Sequence, residues 1–129
     1  LKDGFNEKLN QSSMRFYKRV EYVNYDGMVM NAKIAKNLSS KVKKNTKIIV
    51  LKNHGIIVIA NDIEELFHLT FHFEKCSEIQ LKLTSIKELN KTSEKVSKLT
   101  CNQHESFGKV GNMSWKASLR VIQNNNKRK

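Results

Sequence analysis

Two short β-branched runs, residues 48–51 and 56–60, stand in the middle of the chain, followed at once by a long stretch of helical spacing. Each run is too short for a helix and is apolar on both faces, which predicts strands covered from both sides. Between them, Lys52-Asn-His-Gly55 predicts a tight connection or a bulge, with Gly55 admitting a backbone that other residues resist. Asp62 is a good N-cap, and Glu65 three residues on completes a capping box, so a helix is predicted from 63 to about 86. Ile63, Leu66, Phe67, Leu69, Phe71, Phe73 and Cys76 nearly encircle its first half. A narrow polar strip remains, carrying Glu64, His68, Lys75 and Lys82. A helix this apolar is predicted to lie between a sheet and a second covering layer, for which a neighbouring subunit would serve.

The flanks are less sharply patterned. Residues 1–13 are polar and predicted irregular. Phe16, Val20, Tyr22 and Val23 alternate partly and predict one or two short strands over 16–25. Asp26-Gly27 is a turn signal. Ala32, Ile34, Ala35 and Leu38 give helical spacing over 31–38, and 39–46 reads as a polar loop. From 87 to 104 the chain is rich in Lys, Ser, Thr and Asn, predicting a weakly specified helix and then a loop. Gly108 to Gly111 is a further break. Residues 113–122 return to helical spacing with Trp115, Leu119 and Val121 or Ile122 as anchors, and 124–129 reads as a frayed end. The division predicted is one domain over 1–122 and a basic polar tail over 123–129.

At 129 residues and 39% apolar content the chain is long enough for one globular domain with a core. No window approaches the ~18 consecutive apolar residues of a membrane span. Leu1-Lys-Asp-Gly-Phe5 reads as neither a signal nor a transit peptide. Cys76 and Cys101 are far apart and lack metal-ligand spacing, which reads as free thiols in a reducing cytoplasm. The net charge of +12 raises a nucleic-acid partner. Its carriers are mostly Lys spread along the chain, without stacking aromatics among Arg residues and without zinc-finger spacing, which argues against that partner. Lys41-Val-Lys-Lys44 and Lys127-Arg-Lys129 read as solvated basic clusters.

Few residues offer chemistry. His54, beside a glycine between two strands, is a candidate metal ligand through a neutral imidazole nitrogen. Taken alone it fits a hydrogen-bonding histidine at a strand end better, because zinc wants three or four ligands. His68 and His72, at i and i+4, share a helix face and are a second candidate. Without a His-Glu-x-x-His pattern, they read as part of a solvated or interface face. Lys52 and Asn53 could meet an anionic substrate, but Lys52 reads as solvated. Glu74 reads as paired or at an interface, and Trp115 as a packing anchor. The sequence carries no phosphate loop, nucleophile elbow or dinucleotide fingerprint.

Leu51-Lys-Asn-His-Gly-Ile-Ile-Val-Ile-Ala60, then Ile63-Glu-Glu-Leu-Phe67, then His72-Phe-Glu-Lys-Cys-Ser-Glu-Ile-Gln80, resembles the class II aldolase/adducin family. Leu9-Asn-Gln-Ser-Ser-Met-Arg-Phe-Tyr17 and Val20-Glu-Tyr-Val-Asn-Tyr-Asp-Gly27 resemble the segment before that core in the bacterial members. Trp115-Lys-Ala-Ser-Leu-Arg120 resembles the family's closing motif. The resemblance covers most of the chain. It implies an α/β fold of three α/β/α layers around a mainly antiparallel sheet, often assembled as a homo-oligomer.

In the family's enzymes, aldehyde-lyases among them, a divalent metal, usually zinc, polarises a carbonyl while a carbon–carbon bond of a sugar phosphate or related hydroxy-carbonyl breaks. The Asn-His-Gly histidine is the family's last zinc ligand, a role that falls to His54. The family's His-x-His ligands, catalytic acid and phosphate loop all lie before the part that this chain resembles, and residues 1–46 contain no histidine. The chain is therefore expected to be an N-terminally incomplete member, lacking a complete zinc site and inactive alone. The competing expectation is a non-catalytic, adducin-like scaffold. Two departures, Ala60 in place of a glycine and Leu66 in place of an alanine, predict strain where helix meets strand.

Overall fold

The computed structural model describes residues 4–25, 27–28, 30–86 and 88–126. A 3₁₀ turn, Ser13–Phe16, leads into strand β1, Val20–Asn24. Helix α1, Ala32–Ser40, then crosses to β2, Ile48–Lys52, which turns directly into β3, Gly55–Val58. Three helices follow: α2, Ile63–Lys82, α3, Glu94–Ser106, and α4, Val110–Asn126. The sheet order is β1-β2-β3. β1 and β2 are parallel, with Val20 opposite Ile48, because the intervening α1 returns the chain to its starting end. β2 and β3 are antiparallel, with Val50 opposite Ile56 and Leu51 opposite Gly55.

The period-2 alternation of the strands decides what each face meets. Val20, Ile48, Val50 and Val58 face α2 and join Phe16, Leu69 and Phe73 in the core, with Phe5 and Ala60 packed against it. The rings of Phe5, Phe16 and Phe73 meet pairwise, at centroid distances of 4.5 to 5.7 Å. Phe16 and Ile48 are fully buried, each worth about 1.5–3 kcal/mol relative to exposure. On the opposite face, Ile34 and Leu38 of α1 line a cleft with Val23 and Leu51. Helices thus flank the sheet on both sides in the α/β/α order expected. Cover is complete only at one end, since Ile48 and Ile49 are buried whereas Ile56 is 40% exposed.

The helix starts follow the sequence closely. Asn31, Asp62 and Ser93 each accept a hydrogen bond from the backbone three residues on. The reciprocal half of the α2 box lands one residue early: Glu65 Oε2 accepts from the Asn61 backbone N–H at 2.8 Å, while its Oε1 accepts from Lys47 Nζ at 2.7 Å. α2 ends at Lys82 rather than near 86, and α1 extends through Ser40 into the predicted loop.

Several expectations are corrected. From 88 to 104 the chain is a loop and then a helix, the reverse of the order predicted for 87–104. It is held by Ser93 as cap and by small buried residues, Ser97 and Cys101, one turn apart. Val121 and Ile122 do not anchor α4, being 59% and 56% exposed; Trp115 does, its ring edge-on to Phe67 at 5.6 Å. Ala60 packs against the core, and Leu66 is half-buried on α2. Cys76 and Cys101 are free and buried. Asp26 of the predicted turn and the 127–129 basic cluster lie outside the described residues. Among the described residues no helix is long and apolar enough to cross a membrane.

Candidate functional site

His54 sits at the β2–β3 turn, its backbone N–H donating to Leu51 O at 3.0 Å. The residue that takes the left-handed conformation there is Asn53, at φ 63°. Asparagine tolerates this region better than other non-glycine residues. The turn projects the imidazole to the surface, where it stacks on Tyr25 with 4.3 Å between centroids and 4° between planes. The stack fixes the ring plane while leaving the ring exposed. Asn24, Asn37 and Lys41 share a cleft of about 320 Å³ with the pair. That cleft brings His54 no second imidazole, thiol or carboxylate among the described residues. Lys52 is exposed, as expected of a solvated lysine, and Glu74 is exposed and makes no salt bridge among the described residues. Lys43 of the first basic cluster pairs with Glu21 at 2.7 Å.

His68 and His72 are where the sequence reading fails. They face inward instead of lying on a solvated strip: His68 is 5% exposed and His72 is half-buried. Their rings meet at 4.3 Å, and His68 Nε2 is hydrogen-bonded by Arg15 Nη1. An arginine can only donate, so Nε2 accepts and the ring proton sits on Nδ1, which faces Ser114 Oγ at 3.1 Å. Burial, then the positive charge of Arg15, lowers both histidines to about 4. His104, from α3, is also lowered, by burial and against the raising effect of the hydrogen bond that its Nε2 donates to Gln11 O at 3.0 Å. Arg15 comes from the 3₁₀ turn, 53 residues before His68, and no local pattern announces it.

Arg15, His68 and His104 line a cleft of about 410 Å³ together with Arg19, Lys47 and Asn112. Two cations in it are matched: Arg19 Nη1 meets Glu105 Oε1 at 2.6 Å and Lys47 meets Glu65 at 2.7 Å. Arg19 holds Glu105 below the usual carboxylate range. Burial would raise Glu65, but Lys47 and Asn61 override it and lower it. Among the described residues, no group of three His, Cys, Asp or Glu is arranged to hold a metal ion.

Comparison with known folds agrees with this architecture. An aldolase II superfamily protein from Pseudomonas syringae superposes with a TM-score of 0.84 at 22% identity, over 97% of this chain and 51% of that one. L-fuculose 1-phosphate aldolase from Glaciozyma antarctica PI12 superposes with a TM-score of 0.74 at 19% identity, over 94% of this chain and 45% of that one. The chain thus spans about half the length of these structures. No curated protein matches it. The family model for the class II aldolase and adducin N-terminal domain matches residues 2–81, from before the 3₁₀ turn to the end of α2. The chain belongs to the class II aldolase and adducin family.

Proposed function

We propose that this chain contributes His54 to the metal site of a class II aldolase-type carbon–carbon lyase. The substrate class is a sugar phosphate or related hydroxy-carbonyl compound, the metal is zinc, and the setting is a cytoplasmic homo-oligomer. The observation that carries the reading is the presentation of His54. A left-handed Asn53 and the Tyr25 stack hold one imidazole, exposed and with a fixed plane, at the tip of a hairpin. The described residues do not by themselves fit a zinc ion, because His54 has no companion donors in its cleft. A tetrahedral site needs at least two more protein ligands, which must come from other residues. The chain's own part in the chemistry is therefore to position His54.

The test is cleavage of a ketose 1-phosphate in the presence of zinc. The 129 residues alone should give no turnover. Added to a polypeptide carrying the preceding half of a class II aldolase domain, they should give turnover that His54→Ala abolishes. A mixture equally active with His54→Ala, or turnover by the 129 residues alone, would overturn the reading.

A further inference from the structure

We propose that the cleft bounded by the 3₁₀ turn, α2, α3 and α4 binds a small oxyanion, the carboxylate or phosphate group of a small molecule, with Arg15 as its principal partner. The cleft lies at the opposite end of the sheet from His54. Lys47, just before β2, lines it, whereas His54 follows the end of β2, roughly 17 Å of strand away. It is thus a second site, independent of the aldolase reading.

The cleft's four cations and four carboxylates balance formally, so what sets Arg15 apart is its pairing. Every carboxylate on the cleft wall already has a donor. Glu105 takes Arg19, and Glu65 takes Lys47 and Asn61. Glu64 accepts from Asn112 Nδ2 with both oxygens, at 2.9 and 2.8 Å, and Asp62 caps α2. Arg15, half-buried, is the one arginine of the cleft with no carboxylate partner among the described residues. Its one side-chain hydrogen bond goes to a neutral imidazole, and its buried Nε–H has no acceptor. The nearby thiols supply no counter-charge: burial pushes Cys76 up to about 11 and also raises Cys101, so both stay protonated. A guanidinium removed from water without an anion is costly, and an oxyanion accepting two parallel N–H bonds removes that cost.

The surroundings suit this. A volume of about 410 Å³ falls in the range of small-ligand sites. His68 is a positioning residue: because its Nδ1 is committed to Ser114, its Nε2 lone pair holds Nη1 and fixes the guanidinium plane. The fork geometry of arginine makes that orientation matter, as it would not for lysine.

The experiment follows the four histidine imidazoles by NMR while the intact chain is titrated with inorganic phosphate and, separately, with malonate. We expect saturable shifts at His68 and His104 with at least one probe, an unmoved His54, and an upward move of the His68 pKa on saturation. The tighter probe identifies the ligand's head group. Arg15→Gln should weaken binding at least tenfold, and Arg15→Lys, which keeps the charge without the fork, several-fold. Parallel drift of all four histidines would show only diffuse attraction to a basic protein and overturn the proposal. So would unsaturable shifts, or Arg15→Gln binding as well as wild type. The wild-type titration decides even if a variant fails to fold.

Discussion

Gly111→Ala puts the contact between α2 and α4 to a direct test. Gly111 is buried in the first turn of α4, and a Cβ built there would lie 2.6 Å from Glu64 O, 2.7 Å from Glu64 C and 2.9 Å from Glu65 N. All three are backbone atoms of the first turn of α2, which no rotamer change can move. Ordinary contact requires α4 to retreat by roughly 0.8 Å, and such overpacking costs about 1–3 kcal/mol. The retreat would also stretch the Asn112–Glu64 and Ser114–His68 hydrogen bonds and loosen Trp115 from Phe67. Against this, alanine is a better helix former than glycine by up to about 1 kcal/mol. The balance is a net loss of about 1–2 kcal/mol, or a fall in Tm of roughly 3–10 °C for a chain of this size. Far-UV circular dichroism gives the Tm, and Trp115, the sole tryptophan, should emit further to the red. An unchanged or raised Tm would mean that helix propensity wins and that the two helices do not approach this closely.

Stability should fall with acid before the carboxylates titrate. His68 and His72 titrate near 4 when folded against 6.5 ordinarily, so the unfolded chain takes up protons first as pH drops. The stabilisation is present above pH 6.5 and is lost between 6.5 and 4, at up to about 1 kcal/mol per pH unit for each histidine. Urea unfolding at pH 7, 6 and 5 checks this, and His72→Leu should roughly halve the slope; a flat profile would refute it. Both outer strands, β1 and β3, have an open edge among the described residues, and Ile56, Phe71, Ile79 and Leu81 are exposed. The isolated chain is therefore expected to self-associate. A monodisperse monomer in sedimentation at micromolar concentration would contradict that.

What the sequence reveals and conceals follows from the range of the forces involved. The Asp62 cap, the Asn53-His54 turn and the two β-branched strands are local, and their signals lie within a few residues of their effects. α3 is less legible because its buried stripe consists of Ser97 and Cys101, small residues that a scan for apolar periodicity passes over, while Val96 and Leu99 are exposed. His68 and His72 read as polar and hence as surface. Their burial depends on Arg15, Ser114 and His104, brought together from three other elements. His54 is legible in the opposite way: local turn chemistry predicts its place between the two strands, and it sits at the β2–β3 turn, but the further ligands that the proposed metal role needs are not local to the hairpin.

The central claim is that His54 is a metal-ligand position. Substoichiometric cobalt(II), added to the chain mixed with the preceding half of a class II aldolase domain and followed by paramagnetic broadening of this chain's four histidine imidazoles, tests it most directly. The account predicts that His54 broadens first, with Tyr25 beside it, that His68, His72 and His104 stay sharp, and that zinc competes the effect away. Broadening that begins at His72 or His104 while His54 stays sharp would contradict it.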